Sequence, residues 1–286
     1  MIYVFFGIAG SLYAQIYPAS TGDYQTQAWA WGMAVMCGIY VGGGVSGAHM
    51  SPWISVAFSI FRGFPWKMCL VYSIAQILAG FAAGGLAWAV FQEAILHADP
   101  ELTPDKTGKA FYSIPQSYIS TTGAFFNNFV ASAMYVCVTF AIGDDSNTPP
   151  GAGKMTYLVF TISILTRPGT GLTALIYGLL TYLLFISMGL YGLGISPARD
   201  LGPRFVAWWV GYGRDTFATG WWAYGPVMAG VCGSVVGATV YDVFIFVGGE
   251  SPVNYHWPSV GDIKWRLRTR EKETVEKVEK MKVSMA

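Results

Sequence analysis

Charged residues are scarce in this chain of 286 residues, where Asp, Glu, Lys and Arg together make up 12% of the sequence. In soluble globular proteins the same four residues amount to about a quarter of the chain. Eight of the 17 Lys and Arg residues follow Ile263, so the remainder is poorer still in charge. The formal net charge of +1 gives no basis for a nucleic-acid partner.

Side chains that form catalytic or metal sites are also few. The cysteines are Cys37, Cys69, Cys137 and Cys232. All of them lie inside apolar runs without the C-x-x-C spacing of a metal site, so we interpret them as free thiols. No nucleophile with its base, metal cluster or phosphate-binding loop is recognisable. The sequence therefore predicts no enzyme and no cofactor, and the absence of a carboxylate in the central apolar runs disfavours an ion-coupled transporter.

Long apolar runs dominate what is present, with 53% hydrophobic residues and a mean hydropathy of +0.44. The runs lie at about 1–16, 28–45, 68–91, 123–142, 172–190 and 221–247. They predict an all-α membrane protein, in which Gly80-x-x-x-Gly84 and Gly233-x-x-x-Gly237 are candidate packing faces. The first run covers only about 24 Å of a hydrocarbon core of ~30 Å. We therefore expect that the gene model starts late, inside the first span.

Two Ser-Pro stretches interrupt the apolar runs. They read Gly47-Ala48-His49-Met50-Ser51-Pro52-Trp53 and Gly194-Ile195-Ser196-Pro197-Ala198-Arg199-Asp200. Ser caps the start of a helix and Pro suits its first position, so each stretch predicts a helix start. The short apolar segments that follow, 53–62 and 205–210, cannot span a bilayer and suit re-entrant half-helices.

Duplicated broken helices indicate an inverted repeat with a substrate path near the middle of the membrane. Three full spans separate the two stretches if the segment 154–171 does not cross, so the half-helices enter from opposite sides and their N-termini meet. Their positive dipole ends would repel cations and hopping protons but not a neutral solute.

The irregular backbone before each half-helix must line a cavity, because lipid cannot satisfy its polar groups. The carbonyl groups predicted to form this acceptor ladder belong to Gly47, Ala48, His49, Met50, Gly192, Leu193, Gly194 and Ile195. Arg199 would add fixed donors and a positive charge. His49 is either a titratable group beside this path or, as we favour, a neutral side chain that holds the loop.

Two motifs, Ser46 to Pro52 and Ser196 to Arg204, carry a resemblance to a known family. In them the chain resembles a fungal aquaglyceroporin of the major intrinsic protein (aquaporin) family. The resemblance extends from Met1 to about Gly249. It implies six transmembrane helices plus two re-entrant half-helices in an inverted repeat, assembled as a homotetramer in the lipid bilayer. It also implies passive diffusion of glycerol, water and other small neutral solutes through one pore per subunit.

The resemblance assigns further roles by position. Trp31 matches the aromatic residue that lines the arginine constriction, although it could instead be one more interfacial tryptophan. Leu193 or Gly194 would complete this constriction. Asp200, directly after Arg199, belongs to the glycerol-type pattern.

Four positions depart from the family pattern. Ser51 and Ser196 stand where the family carries asparagine at the pore centre, Trp53 replaces a small alanine, and Asn128 matches a buried glutamate that braces the second loop. Two alternatives therefore stay open. One is a channel of altered selectivity for ammonia, urea, peroxide or metalloid acids, and the other is a non-conducting structural member of the family.

The predicted organisation is a channel domain at 1–249 and a charged cytoplasmic tail at 250–286. The segment 154–171 is out of place in this pattern, and we expect either a retained intron or a cytoplasmic loop with a membrane-lying segment. Arg62, Lys67 and the basic tail indicate the cytoplasmic side. We expect a multi-pass protein of the plasma membrane.

Overall fold

The computed structural model describes residues 1–22, 24–144, 170–189, 192–194, 196–249 and 251–253. This part of the chain contains helices, turns and bends but no strand. The longer helices are α1 (Ile2–Ile16), α2 (Tyr24–Ser46), α3 (Pro52–Phe61), α4 (Trp66–Ala98), α5 (Thr121–Ile142), α6 (Thr170–Met188), α7 (Pro197–Ala207) and α8 (Gly230–Phe244). Short helical pieces lie at Pro18–Thr21, Pro104–Gly108, Lys109–Phe111, Trp208–Tyr212, Asp215–Ala218 and Ala223–Ala229.

Four helical segments of the described chain are long and apolar enough to cross a membrane. They are Tyr24–Ser46, Trp66–Ala98, Thr121–Ile142 and Ala223–Phe244. Shorter apolar helices occupy Ile2–Ile16, Pro52–Phe61 and Leu172–Met188. The prediction of a helical membrane protein is confirmed at this level.

One predicted boundary is wrong. The third apolar run continues as helix to Ala98 instead of ending at Phe91, because the polar residues after it do not break the helix. The helix at the second Ser-Pro stretch begins at Pro197, as the stretch predicts, and extends through Asp200 and Arg204 to Ala207. The apolar segment 205–210 is therefore only the end of this helix and the turn after it, because the charged Asp200 and Arg204 are buried and paired within the helix.

Glycines bring two pairs of helices into close contact, as the G-x-x-x-G spacing predicts. On α4, a Cβ at Gly80 would collide with the carbonyl group of Ala198, and one at Gly84 would lie 2.9 Å from the Cα of Pro203. Gly233 and Gly237 of α8 leave no room for a Cβ against the backbone of α5. The Ser-Pro helix α7 is thus packed directly on α4.

A buried ion pair anchors the far end of α3. Arg62, directly after the helix, contacts Asp242 of α8 through two hydrogen bonds of 2.8 and 2.7 Å. Its guanidinium group also lies over the rings of Phe140 and Phe246, at 4.3 and 4.1 Å from their centroids. The C-terminal end of α3 is therefore tied to α8, while its N-terminal end is left for the site described below.

The predicted insert and tail fall largely outside the described residues. The chain is described again from Thr170, so 154–169 of the predicted insert 154–171 lie outside. Of the predicted tail 250–286, only 251–253 are described. The division into channel domain, insert and tail stays a prediction.

Candidate functional site

The two Ser-Pro helices begin next to each other. Ser51 and Ser196 are the N-cap residues of α3 and α7, both with extended backbone. The hydroxyl group of Tyr3, on α1, donates to the carbonyl group of Met50 at 3.1 Å and to Oγ of Ser196 at 3.5 Å. One side chain thus bridges the two helix starts, and their N-termini converge on one point.

The backbone before α3 is strained. Ala48 and Met50 have φ angles of +46° and +53°, in the left-handed region that residues with a Cβ rarely adopt. Each such residue costs of order 1–3 kcal/mol, and this kind of strain concentrates at functional sites. This strained segment directly precedes α3, where the carbonyl groups of His49 and Met50 accept hydrogen bonds from the Ser51 amide and the Tyr3 hydroxyl.

A cavity of about 680 Å³ opens beside these helix starts. The predicted site residues that line it are Trp31, Gly47, Ala48, His49, Met50, Ser51, Ser196 and Arg199. Pro52, Pro197 and Ala198 form the first turns of α3 and α7 and are not lining residues. Gly192, Leu193 and Gly194 do not line it either, and Ile195 lies outside the described residues. Their place in a constriction stays a prediction.

Arg199 and Trp31 lie together in the lining of this cavity. The guanidinium carbon of Arg199 is 4.8 Å from the centroid of the Trp31 ring. Trp31 is held in place by a hydrogen bond of 3.0 Å from Nε1 to Ser11 and by parallel stacking on Phe185, at a centroid distance of 5.6 Å. Trp31 is 2% exposed, so the structure places it inside the helical bundle.

Two nitrogens of Arg199 are available as donors. Nε and Nη1 are buried and have no hydrogen-bond partner within the part of the chain that the structure describes. Nη1 lies 3.8 Å from Asp200, too far for a hydrogen bond. Buried donors without an acceptor are costly. A polar ligand that reached these two nitrogens would relieve that cost.

Asn128 of α5 holds the segment before α7. Its Oδ1 accepts a hydrogen bond of 2.8 Å from the Gly194 amide, and its Nδ2 donates to the Gly192 carbonyl at 3.3 Å. Gly192 has a φ of +80°, and a Cβ there would lie 2.7 Å from the Cα of Pro115. The side chain that the sequence analysis assigned to this loop thus contacts it through both of its polar atoms.

The sequence of this chain matches a known protein family over most of its length. Residues 1–241 match the family model described as major intrinsic protein. The chain belongs to the major intrinsic protein family. This family is one of membrane channels, and the resemblance noted from the sequence is confirmed.

Two fungal proteins are similar to this chain over most of its length. The chain is 44% identical over 258 residues to a probable aquaglyceroporin-4 of Gibberella zeae, covering 88% of this chain and 43% of that protein. It is 37% identical over 267 residues to aquaglyceroporin-4 of Botryotinia fuckeliana, covering 90% of this chain and 34% of that protein. The chain therefore spans less than half the length of these curated relatives.

A solved structure of the family has the same fold. It is the X-ray structure of the aquaglyceroporin from Plasmodium falciparum, with a TM-score of 0.69 and 27% sequence identity. The match covers 85% of this chain and 91% of that chain. The helical arrangement described above is thus similar to that of the Plasmodium falciparum protein.

The serines that replace the family's asparagines do not cap with their side chains. Neither Ser51 nor Ser196 makes a side-chain capping hydrogen bond, contrary to the expectation that the hydroxyl would cap. Their backbone carbonyl groups accept the first helical hydrogen bonds, and Oγ of Ser51 is buried without a partner in the described residues. The conformation of Pro52 and Pro197 starts the helices, while Oγ of Ser196 accepts from Tyr3 and Oγ of Ser51 has no partner among the described residues.

His49 contacts its own segment of the chain. Nδ1 lies 3.0 Å from Oγ of Ser55, and the ring stacks on Phe58 with a centroid distance of 5.0 Å. Phe64 and Tyr72 pack edge-on around it. These contacts favour the interpretation in which His49 holds the loop.

A polar network that the sequence analysis missed fixes the start of α7. Asp200 accepts hydrogen bonds from the amide and hydroxyl of Ser113, at 2.8 and 2.6 Å, and from Nε of Arg204 at 2.8 Å. Arg204 in turn donates to the carbonyl groups of Ser113 and Thr216. The i, i+4 spacing of Asp200 and Arg204 was a usable signal. Ser113 and Tyr3 carry no such signal, because their partners are distant in sequence.

Proposed function

We propose that this protein is a membrane channel for the passive diffusion of glycerol, water and other small neutral solutes. The observation that supports this most is the convergence of the starts of α3 and α7 on one cavity, bridged by Tyr3. The names of the relatives, aquaglyceroporins in each case, point the same way.

The proposed selectivity follows from charge and shape. Two helix N-termini carry partial positive charge, and Arg199 adds a full one, so cations and protons meet a barrier that neutral solutes do not. The free nitrogens of Arg199 would donate to solute oxygens, while the rings of Trp31 and Phe185 would contact the carbon side. Leu193 or Gly194 would complete the constriction.

The proposed architecture is six transmembrane helices and two re-entrant half-helices, α3 and α7. In this reading residues 1–249 form the channel domain and 250–286 a charged cytoplasmic tail. The assembly would be a homotetramer in the plasma membrane, with one pore in each subunit.

Reconstitution into liposomes tests the channel function. Vesicles that contain the protein should shrink in a glycerol gradient and then re-swell, but should not re-swell in an impermeant sugar. Arg199→Ala and Trp31→Ala should change the ratio of glycerol to water permeability, whereas the exposed-site controls Lys67→Ala and Trp66→Ala should not. Glycerol permeability equal to that of empty vesicles would refute the channel proposal.

A second candidate is a channel of altered selectivity for ammonia, urea, peroxide or metalloid acids. The unpartnered hydroxyl of Ser51 favours it, because a hydroxyl both donates and accepts, in a different geometry from the amide it replaces. Re-swelling in urea faster than in glycerol would support this candidate. Ser51→Asn with Ser196→Asn should then shift the preference back toward glycerol.

A further inference from the structure

The indole N–H of Trp31 is directed at a serine of α1. Nε1 donates a hydrogen bond of 3.0 Å to Oγ of Ser11. Ser11 is buried and, unlike Trp31, does not line the cavity. An indole ring has one polar atom, its N–H, and no acceptor. Because that atom is paired inside the helical bundle, the surface that Trp31 offers to the cavity consists of carbon.

The ring of Trp31 lies in a slot between α1 and α6. On the α1 side is Gly7, one turn before Ser11, where a Cβ would collide with three carbons of the indole ring. On the α6 side is Phe185, whose ring is parallel to the indole within 3°. Packing against these two residues fixes the plane of the ring, whereas the hydrogen bond to Ser11 fixes the direction in which its N–H points.

The backbone that carries Trp31 is held by close contacts on both sides. A Cβ at Gly32 would lie 2.7 Å from the carbonyl oxygen of Gly178 on α6, and one at Gly178 would lie 2.9 Å from that of Gly32. On the α1 side, a Cβ at Gly10 would collide with the Cβ of Ala30. Since α2 has no room to shift, removal of the Ser11 hydroxyl acts on the indole N–H and not on the position of the helix.

Without the Ser11 hydroxyl, the indole N–H would need another acceptor, because a buried donor without one is costly. Arg199, which lies over the ring, carries only donors and cannot accept. The remaining source of acceptors beside the ring is the cavity that Trp31 lines, through a water molecule or a solute oxygen. The wall next to Arg199 would then gain a second donor, and water would bind where Trp31 now offers carbon.

We propose that Ser11 is a positioning residue that sets the solute preference of the channel. By accepting the indole N–H, it keeps the Trp31 surface apolar and so favours solutes with a carbon chain over water. Ser11 does not itself touch the solute, because it lies behind Trp31 and outside the cavity lining. This inference rests on the proposed channel function and assigns to α1 a part in its selectivity.

Vesicle permeability to glycerol and to water tests the effect on solute preference. In Ser11→Ala the ratio of glycerol to water permeability should fall about five-fold, the factor that corresponds to one neutral hydrogen bond. Ser11→Cys keeps a side chain of similar shape whose sulfur accepts only weakly, so the ratio should fall there too. Ser234→Ala is the matched control, because Ser234 is buried, donates to Val231 within α8 and lies outside the cavity lining. An unchanged ratio in Ser11→Ala would overturn the proposal.

A double-mutant cycle separates positioning from a merely structural role. Trp31→Phe keeps an aromatic ring and removes the N–H, so Ser11 has nothing left to accept. Ser11→Ala should therefore change the permeability ratio in the unchanged protein but not in the Trp31→Phe background. If Ser11 served only the packing of α1, Ser11→Ala would have the same effect with and without the N–H, and that result would also overturn the proposal.

NMR of the whole protein in detergent, with ¹⁵N-labelled tryptophan, tests the direction of the N–H without relying on flux. The signal that disappears in Trp31→Phe identifies the indole N–H of Trp31. Its exchange with water should be at least about ten-fold faster in Ser11→Ala than in the unchanged protein, and equal rates would refute the role of Ser11. A channel that conducts glycerol with a ratio independent of Ser11 would refute only this inference. Absence of glycerol permeability, with the N–H shielded by Ser11, would refute only the channel proposal.

Discussion

At the scale of single residues, Tyr3 connects parts of the chain that are remote in sequence. Its hydroxyl contacts Met50 and Ser196, and its ring packs edge-on against Trp31 at a centroid distance of 6.5 Å. The two serines leave the centre of the site without the amide groups expected in this family. A tyrosine from α1 supplies the polar group that joins the two helix starts.

Tyr3→Phe should separate the contribution of the hydroxyl group from the contribution of the aromatic ring. The ring contact with Trp31 is kept, while the hydrogen bond to Met50 is lost, and one such bond contributes about 1 kcal/mol. We expect a small fall in thermal stability and a change in glycerol permeability relative to water. Differential scanning fluorimetry and vesicle re-swelling measure the two effects. Unchanged stability and permeability ratio would mean that the hydroxyl is dispensable.

Asn128→Ala should release the segment before α7. The Gly194 amide would lose its acceptor, and a buried unpaired group of this kind costs about 1–3 kcal/mol. Asn127→Ala is the matched control, because Asn127 donates to Met188 and does not contact this segment. We expect vesicle re-swelling in glycerol to fall much more for Asn128→Ala. Equal losses in both variants would argue against a specific role for Asn128.

At the scale of helices, the sequence predicts that a helix is present more reliably than it predicts which residues the helix contacts. The Ser-Pro spacing predicted both re-entrant helix starts, since capping and proline geometry are local effects. Hydropathy alone does not register the charged part of α7, because Asp200 and Arg204 pair with each other inside the helix. The contacts of Tyr3 and Ser113 could not be predicted, since their partners depend on how the helices pack.

Gly80→Ala and Gly85→Ala form a matched pair on α4. Alanine is normally favoured over glycine inside a helix by about 1 kcal/mol. A Cβ at Gly85 meets nothing within 4 Å, so that change should be neutral or stabilising. At Gly80 the Cβ collides with the carbonyl group of Ala198 and should push α7 away from α4. In thermal unfolding experiments in detergent, Gly80→Ala should lower the melting temperature, whereas Gly85→Ala should leave it unchanged or raise it. Equal changes of the melting temperature in both variants would contradict this packing.

At the scale of the whole molecule, the two Ser-Pro helices are anchored by different means. The far end of α3 is fixed by the ion pair between Arg62 and Asp242. The start of α7 is fixed by Asp200, Arg204 and Ser113. The similar starts of the two helices therefore depend on unrelated supporting contacts, and damage to one support should leave the other intact.

Arg62→Ala and Asp242→Ala test the first of these anchors in a double-mutant cycle. Removing one partner of a buried pair leaves an uncompensated charge and costs about 3–5 kcal/mol. Arg62 retains some exposure, with its side chain 18% accessible, so we expect the lower end of that range. The double variant should lose less free energy of unfolding than the two single variants lose when their losses are added. Additive losses in unfolding experiments would show that the charges do not interact.

The unpartnered hydroxyl of Ser51 has a consequence for water in the proposed channel. A hydroxyl is a rotor: it can turn its proton toward a neighbouring water or away from it, whereas an amide presents a fixed N–H. These side chains would therefore not force water molecules in the proposed channel into one dipole direction. The polarity of a single file of water through this protein would be set by the electric field of the backbone and Arg199, not by the residues at its midpoint.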